Sequence, residues 1–162
     1  ECIPQNIDYY LQRDSRDSTL SRVANAWVLA RSDRPRSWAL FAEALESDVN
    51  DIQGGTTPEG VHLGAMAGTV DIIQRAYTGI VTRGDVLWLN PRLPDALTRM
   101  RFRLHYRNQS LDVELSQDEV RLQARHGTAE KIRVGLDGMV YTLHAGDSLQ
   151  IQLREKTQPL NS

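Results

Sequence analysis

The hydrophobic period of this chain changes near residue 80, and that change limits the fold more than any other feature. Before it, apolar residues recur at the three-to-four spacing of helices; after it they alternate, as on strands. Leu20, Val23, Ala24, Trp27 and Val28 predict one amphipathic helix, with Ser18 or Asp17 placed to cap its first turn. A second helix is expected after Asp33, with Pro35 early in it and Trp38, Phe41, Ala42, Leu45 and Val49 on one face. The short link between them implies antiparallel neighbours. Leu63, Met66, Val70, Ile73 and Tyr77 predict a third helix, stopped at Gly79.

After Arg83-Gly84-Asp85 the runs Val86–Leu89, Met100–Tyr106, Leu111–Leu115, Val120–Ala124, Ile132–Val134, Met139–Leu143 and Leu149–Leu153 read as strands. Asp137-Gly138 and Gly146-Asp147 supply tight turns between the later ones. The expected class is therefore α+β: a helical segment over residues 1–82, an antiparallel β-sandwich over 83–156 and a tail over 157–162. Three helices are too few to cover their own apolar faces. Further helices, or a partner copy in a homo-oligomer, are expected to complete them.

Bulk properties narrow the function. Lys and Arg total 19 against 21 Asp and Glu, giving a net charge of -2, and no basic block stands out, so a nucleic-acid partner is not expected. The single cysteine, Cys2, excludes an intrachain disulfide framework and a cysteine-rich zinc site, and no metal is expected. No membrane-spanning run is present in the sequence, and the expected location is cytoplasmic. The chain opens Glu1-Cys2-Ile3 without methionine, which suggests processing or a piece of something longer.

The chain has 11 glycines, and Gly54, Gly55, Gly60, Gly64 and Gly68 crowd into Asp51–Thr69, DIQGGTTPEGVHLGAMAGT. Glycine serves where φ must be positive or where another group must come close. The stretch leads into the start of the third helix, where backbone N–H groups can receive an anion.

Three stretches, DSTLSRVANAWVLA, DIQGGTTPEGVHLGAMAGTVDIIQRAYTG and LWLNPRLPDALTRMRFRLHYRNQSLDVEL, together resemble the C-terminal part of glycoside hydrolase family 65. That family contains the trehalose, kojibiose and maltose phosphorylases and related disaccharide hydrolases. The resemblance covers roughly Tyr9 to Leu153 and implies the last helices of an (α/α)6 barrel followed by a C-terminal β-sandwich. The activity it implies is inverting phosphorolysis of trehalose or a related α-glucobiose to β-glucose 1-phosphate and glucose. Inorganic phosphate is then a co-substrate, and no cofactor or metal is needed. The family's general-acid glutamate belongs to a motif upstream of these stretches, so no catalytic acid is expected in this chain, which by itself should be inactive.

The resemblance also implies a phosphate-binding half-site. The family motif H-x-S-S-L-S matches Arg16-Asp17-Ser18-Thr19-Leu20-Ser21, with Ser18 and Thr19 in place of the paired serines and Arg16 in place of the histidine. Its E-G-x-H before a helix bearing M-A-G matches Glu59-Gly60-Val61-His62 and Met66-Ala67-Gly68. Ser18, Thr19, His62 and Gly60 are thus the expected phosphate-binding residues, with Arg16, Asp17 and Glu59 as further candidates. Plainer readings stand beside these. Ser18 and Thr19 sit where any helix wants a cap, His62 could be structural, Glu59 could be a first-turn charge, and Arg16 a solvated one. Trp88 is a candidate for packing between the two halves. A hydrolase of the same family would need a carboxylate base, for which Asp17 or Glu59 are the local choices. A non-catalytic glycan-binding or structural remnant is a third option.

Overall fold

A computed structural model describes residues 3–14, 18–51, 58, 60–125, 127 and 129–153. The chain divides into two compact units, Glu1–Tyr77 and Thr78–Ser162.

The first unit contains α1 (Ile3–Leu11), α2 (Thr19–Leu29), α3 (Arg34–Glu46) and α4 (Leu63–Asp71), and α4 continues as a π-helical turn over Ile72–Tyr77. The start of α3 is as the sequence predicts: Asp33 accepts a hydrogen bond from the Arg36 backbone N–H at 3.1 Å, and Pro35 lies in the first turn. Two contacts fix the direction of α3 against α2. Ser37 Oγ, at the start of α3, donates to the Ala26 carbonyl at 2.6 Å, and further along α3 Glu43 accepts from Arg22, earlier in α2, at 3.2 Å. The pair is antiparallel.

The same reasoning orients α4. Tyr77 Oη, at the far end of the π-helical turn, lies 3.1 Å from Ser37 Oγ at the start of α3, whereas His62, just before α4, meets Asp48, just after α3. Thus α4 is antiparallel to α3 and parallel to α2. The N-termini of α2 and α4 open at the same end of the helical layer.

The buried faces differ from the stripes that the large apolar residues predict. The residues buried on α2, α3 and α4 are Thr19, Val23, Ala26, Leu29, Ser37, Phe41, Ala44, Ala65 and Thr69, most of them small. Leu20 is 56% exposed, Val28 45%, Leu45 48%, Val49 78%, Leu63 76% and Val70 54%, so six large members of the expected stripes point to solvent. Small residues let helix axes approach, and Gly68 shows how closely: a Cβ there would collide with Cγ1 of Val23. Around this seam Trp38, Phe41 and Tyr77 form an aromatic cluster, with Trp38 and Phe41 stacked at 5.2 Å between centroids. Helix α1 is an element the periodicity did not suggest; its Tyr9 and Tyr10 are largely exposed.

The second unit is a sandwich of two four-stranded sheets. One has the order β1 (Val81–Arg83), β2 (Val86–Leu89), β6 (Lys131–Leu136), β7 (Met139–His144). The other runs β3 (Arg99–Tyr106), β4 (Gln109–Ser116), β5 (Glu119–Ala124), β8 (Ser148–Gln152). Leu111, Val113, Leu115, Val120 and Leu122 of one sheet and Leu87, Leu89, Ile132, Val134 and Leu136 of the other make the core. The pairings are antiparallel, as expected of the sandwich, with one exception: β2 runs parallel to β6. Strand β1 is a further addition, a short exposed hairpin arm turned back at Gly84.

Two hairpins carry the turns their residues dictate. Asp137 and Gly138 both have positive φ, 47° and 79°, and Arg107 and Asn108 likewise, 49° and 62°, as two-residue type I′ turns require. Gln109, just after the second turn, opens β4 and is buried. Within this unit the Trp88 ring lies over its cross-strand partner Gly135, where a Cβ would collide with it. The outer face of the second sheet is a charge ladder: Arg101 donates to Glu114 at 2.9 Å, and Asp112 sits between Arg103 and Arg125.

Candidate phosphate-facing end of the helical layer

The expected site residues divide into those the structure describes and those it does not. Arg16, Asp17 and Glu59 lie outside the described residues, as do Gly54 and Gly55. Ser18, Thr19, Gly60 and His62 are described, and all lie at the starts of α2 and α4.

Ser18 occupies the N-cap position of α2 with extended backbone, φ -114° and ψ 130°, yet its side chain makes no cap hydrogen bond. The exposed hydroxyl is therefore not committed to the helix end in the way the plainer reading requires. Thr19 is buried at 5% exposure. Ser21, which closes the same motif, donates to Asp14 at 3.2 Å, and Asn25 one turn later donates to the other Asp14 oxygen at 2.5 Å. Asp14 thereby ties the chain before α2 onto the helix.

At α4, Gly60 has φ +99° and open space where a Cβ would stand. Backbone conformation, not crowding, calls for glycine there. The demand at Gly68 is the reverse: ordinary helical backbone, but no room beside Val23. Gly64 has neither constraint, since its Cβ would meet nothing within 4 Å. Of the three described glycines in this stretch, one serves the loop and one serves helix packing.

His62 is the N-cap residue of α4. Its ring Nδ1 lies 2.5 Å from Asp48 Oδ1, and its backbone N–H donates to Asp48 Oδ2 at 2.9 Å. One carboxylate thus holds both the ring and the helix end. The side chain of Asp48 is 9% exposed and that of His62 28%. The hydrogen bond from the His62 ring holds the Asp48 carboxyl below its ordinary value, helped by the His62 backbone N–H and opposed by burial. Asp48 was not among the sequence candidates. It follows α3 with no motif linking it to His62, 14 residues on.

The spacing of the two helix starts follows from the Val23–Gly68 contact. Thr19 precedes Val23 by about 6 Å of helix and His62 precedes Gly68 by about 9 Å. The two ends are flush to about 3 Å along the helix direction. An anion at this end would meet two helix N-termini, and the positive ends of both dipoles would favour it. Among the described residues, no group of three or more His, Cys, Asp or Glu could hold a metal ion. No described helix is long and apolar enough to cross a membrane.

A helical unit in which α2 and α4 start at the same end, followed by a two-sheet sandwich, makes an α+β chain. Comparison with known proteins agrees with that class. Residues 1–71 match the glycosyl hydrolase family 65 central catalytic domain, and residues 80–143 match the C-terminal domain of the same family. The chain belongs to glycosyl hydrolase family 65.

An uncharacterized glycosyl hydrolase of Mycobacterium tuberculosis is 45% identical over 149 residues, which are 92% of this chain and 11% of that protein. The trehalose 6-phosphate phosphorylase of Lactococcus lactis is 33% identical over 128 residues, 78% of this chain and 17% of its own length. The kojibiose phosphorylase of Caldanaerobacter subterraneus is 26% identical over 135 residues, 82% of this chain and 17% of its length. Among solved structures, one assigned as a kojibiose phosphorylase from the human microbiome superposes with a TM-score of 0.76 at 22% identity, covering 93% of this chain and 20% of that one. The chain spans less than a fifth of these three relatives.

Proposed function

We propose that this chain is the C-terminal segment of an inverting disaccharide phosphorylase acting on trehalose or a related α-glucobiose, and that the α2 and α4 starts form the phosphate side of its pocket. The observation that carries this reading is the common direction of α2 and α4. It sets the uncapped Ser18 hydroxyl and the His62 ring at one end of the layer, although the two are far apart in sequence. The phosphorylase relatives lend support.

In this reaction a phosphate oxygen attacks the anomeric carbon from the face opposite the leaving sugar. The new C–O bond forms as the glycosidic C–O bond breaks, and a carboxylic acid gives its proton to the departing oxygen. The segment's part is to hold phosphate in line. Hydroxyl, imidazole and helix-end N–H groups suit an oxyanion, and a hydrolase would instead need a carboxylate base on that face. Asp48, the carboxylate described beside His62, has both oxygens engaged by that residue.

The acid and the sugar-binding walls would come from the portion of the barrel that relatives carry and this chain does not span. By itself the chain is expected to release no glucose 1-phosphate from trehalose, maltose or kojibiose. General-acid help alone is worth about 10²- to 10⁴-fold. The decisive assay is on the full-length enzyme containing this segment. His62→Ala should raise the KM for phosphate far more than the KM for disaccharide, and cleavage should require phosphate. Cleavage at full rate in phosphate-free buffer would make the enzyme a hydrolase.

A further inference from the structure

We propose that Asp48 is a positioning residue for His62, fixing the direction of the imidazole and keeping Nδ1 as the donor to its carboxylate, so that Nε2 is the ring nitrogen turned toward an anion and donates to it when the ring is charged. This rests on the phosphate reading above and adds a residue to it.

The case starts from the double contact. A carboxylate is an acceptor only, so the ring nitrogen facing it must be the protonated one, and Nδ1 donates to Oδ1. The second carboxylate oxygen takes the backbone N–H of the same residue at 2.9 Å. The two contacts close a small ring through Asp48 and His62 that removes rotation about both side-chain bonds of the histidine. Nε2, across the imidazole from Nδ1, is then directed away from Asp48. A histidine side chain 28% exposed and without such a brace would sample several rotamers.

The place of Asp48 in the fold is what makes the brace. It stands in the turn after α3, where Val49 and Asn50 return their N–H groups to the Glu46 carbonyl at 2.9 Å, so its backbone is fixed by the helix end. Because α3 and α4 are antiparallel, that turn abuts the start of α4. The carboxylate also takes up the His62 backbone N–H, so an arriving anion would depend on the ring and the later amides.

The proposal carries a signature that packing alone does not. A neutral imidazole in water favours the Nε2–H form, whereas a ring donating to Asp48 must be Nδ1–H. In Asp48→Asn the amide can offer its oxygen to the His62 backbone N–H and its NH₂ to Nδ1, which turns the neutral ring into the Nε2–H form.

The test is a long-range ¹⁵N–¹H correlation spectrum of the histidine rings in the 162-residue chain. The His62 signals are assigned by their loss in His62→Gln, the tautomer is read with the ring neutral, and inorganic phosphate is then titrated in with the ring charged, when Nε2–H can donate. The expected result is Nδ1–H in the wild type, Nε2–H in Asp48→Asn, and a phosphate-dependent shift at His62 Nε2. That shift should need several-fold more phosphate in Asp48→Asn, because its charged ring keeps the Nε2–H donor and is no longer held in one direction. A wild-type ring in the Nε2–H or a mixed form overturns the role of Asp48, whatever phosphate does, and needs no variant to fold. A ring that is Nδ1–H when neutral but whose Nε2 ignores phosphate when charged overturns the anion site itself and leaves the brace as architecture.

Discussion

Replacing Gly68 by alanine should destabilise the helical unit, although alanine is the better helix former. In a helix interior the exchange is ordinarily favourable by about 0.8–1.0 kcal/mol. Here the new Cβ would stand in the place of Val23 Cγ1, and Val23 is 6% exposed and β-branched, with little freedom to turn away. Overpacking of this kind costs about 1–3 kcal/mol, so the net effect is a loss of up to about 2 kcal/mol. Val23→Ala removes the obstructing methyls and alone should cost about 2 kcal/mol through lost burial and a cavity.

In the Val23→Ala background the sign should reverse. Gly68→Ala then stabilises by about 1 kcal/mol, since it regains helix propensity and fills part of the space. The coupling between the two sites would be roughly 1–3 kcal/mol, well above the usual non-additivity of independent positions. Native-state hydrogen exchange at α2 and α4 amides measures it, because it reports opening of the helical unit separately from the sandwich. If Gly68→Ala stabilises the wild type, or shifts both backgrounds alike, the close approach of α2 and α4 is wrong, and the flush alignment of Ser18 and His62 goes with it.

Other consequences can be checked independently. Hydrogen-exchange protection should concentrate in residues 86–153, because Leu20, Val49, Leu63 and Val70 leave the helical unit with uncovered apolar surface; stronger protection in α2–α4 of a verified monomer would contradict this. Ser37→Ala should cost about 1–3 kcal/mol by leaving the buried Tyr77 hydroxyl without this partner, and Tyr77→Phe less, since Ser37 keeps the Ala26 carbonyl; equal losses in thermal melts would refute that asymmetry. Gly135→Ala should push the Trp88 ring off its cross-strand site and change the near-ultraviolet circular dichroism while the far-ultraviolet signal persists. Hydrogen bonds from Arg103 and Arg125 lower the Asp112 carboxyl, and one from Arg101 lowers that of Glu114. Their contribution is complete above the ordinary values of 3.8 and 4.5 and fades as pH falls through the depressed ones. Acid titration of the sandwich should therefore show stability lost only below that range, and less of it in 1 M salt; a loss that begins near pH 6 would exclude these carboxylates as the cause.

What the sequence carried by itself was period, punctuation and motif. A short apolar run marked β2 and alternation β3 to β8, Asp33 with Pro35 marked the start of α3, and Asp137-Gly138 marked a hairpin, because each depends on a residue's own backbone preferences or on a local pattern of faces. The short motifs around Ser18 and His62 pointed to the family. Tertiary structure decided which helix face is buried and who touches His62. Large apolar residues suggested the faces, yet α2 and α4 meet through Val23 and Gly68, because close approach of two backbones selects for small side chains and sends Leu20 and Val70 outward. The parallel β2–β6 pair joins strands remote in sequence, and no local pattern encodes it. Asp48 meets His62 for a similar reason. Neither residue specifies the other along the chain, and only the antiparallel return of α4 along α3 brings the turn after one helix to the first amide of the next.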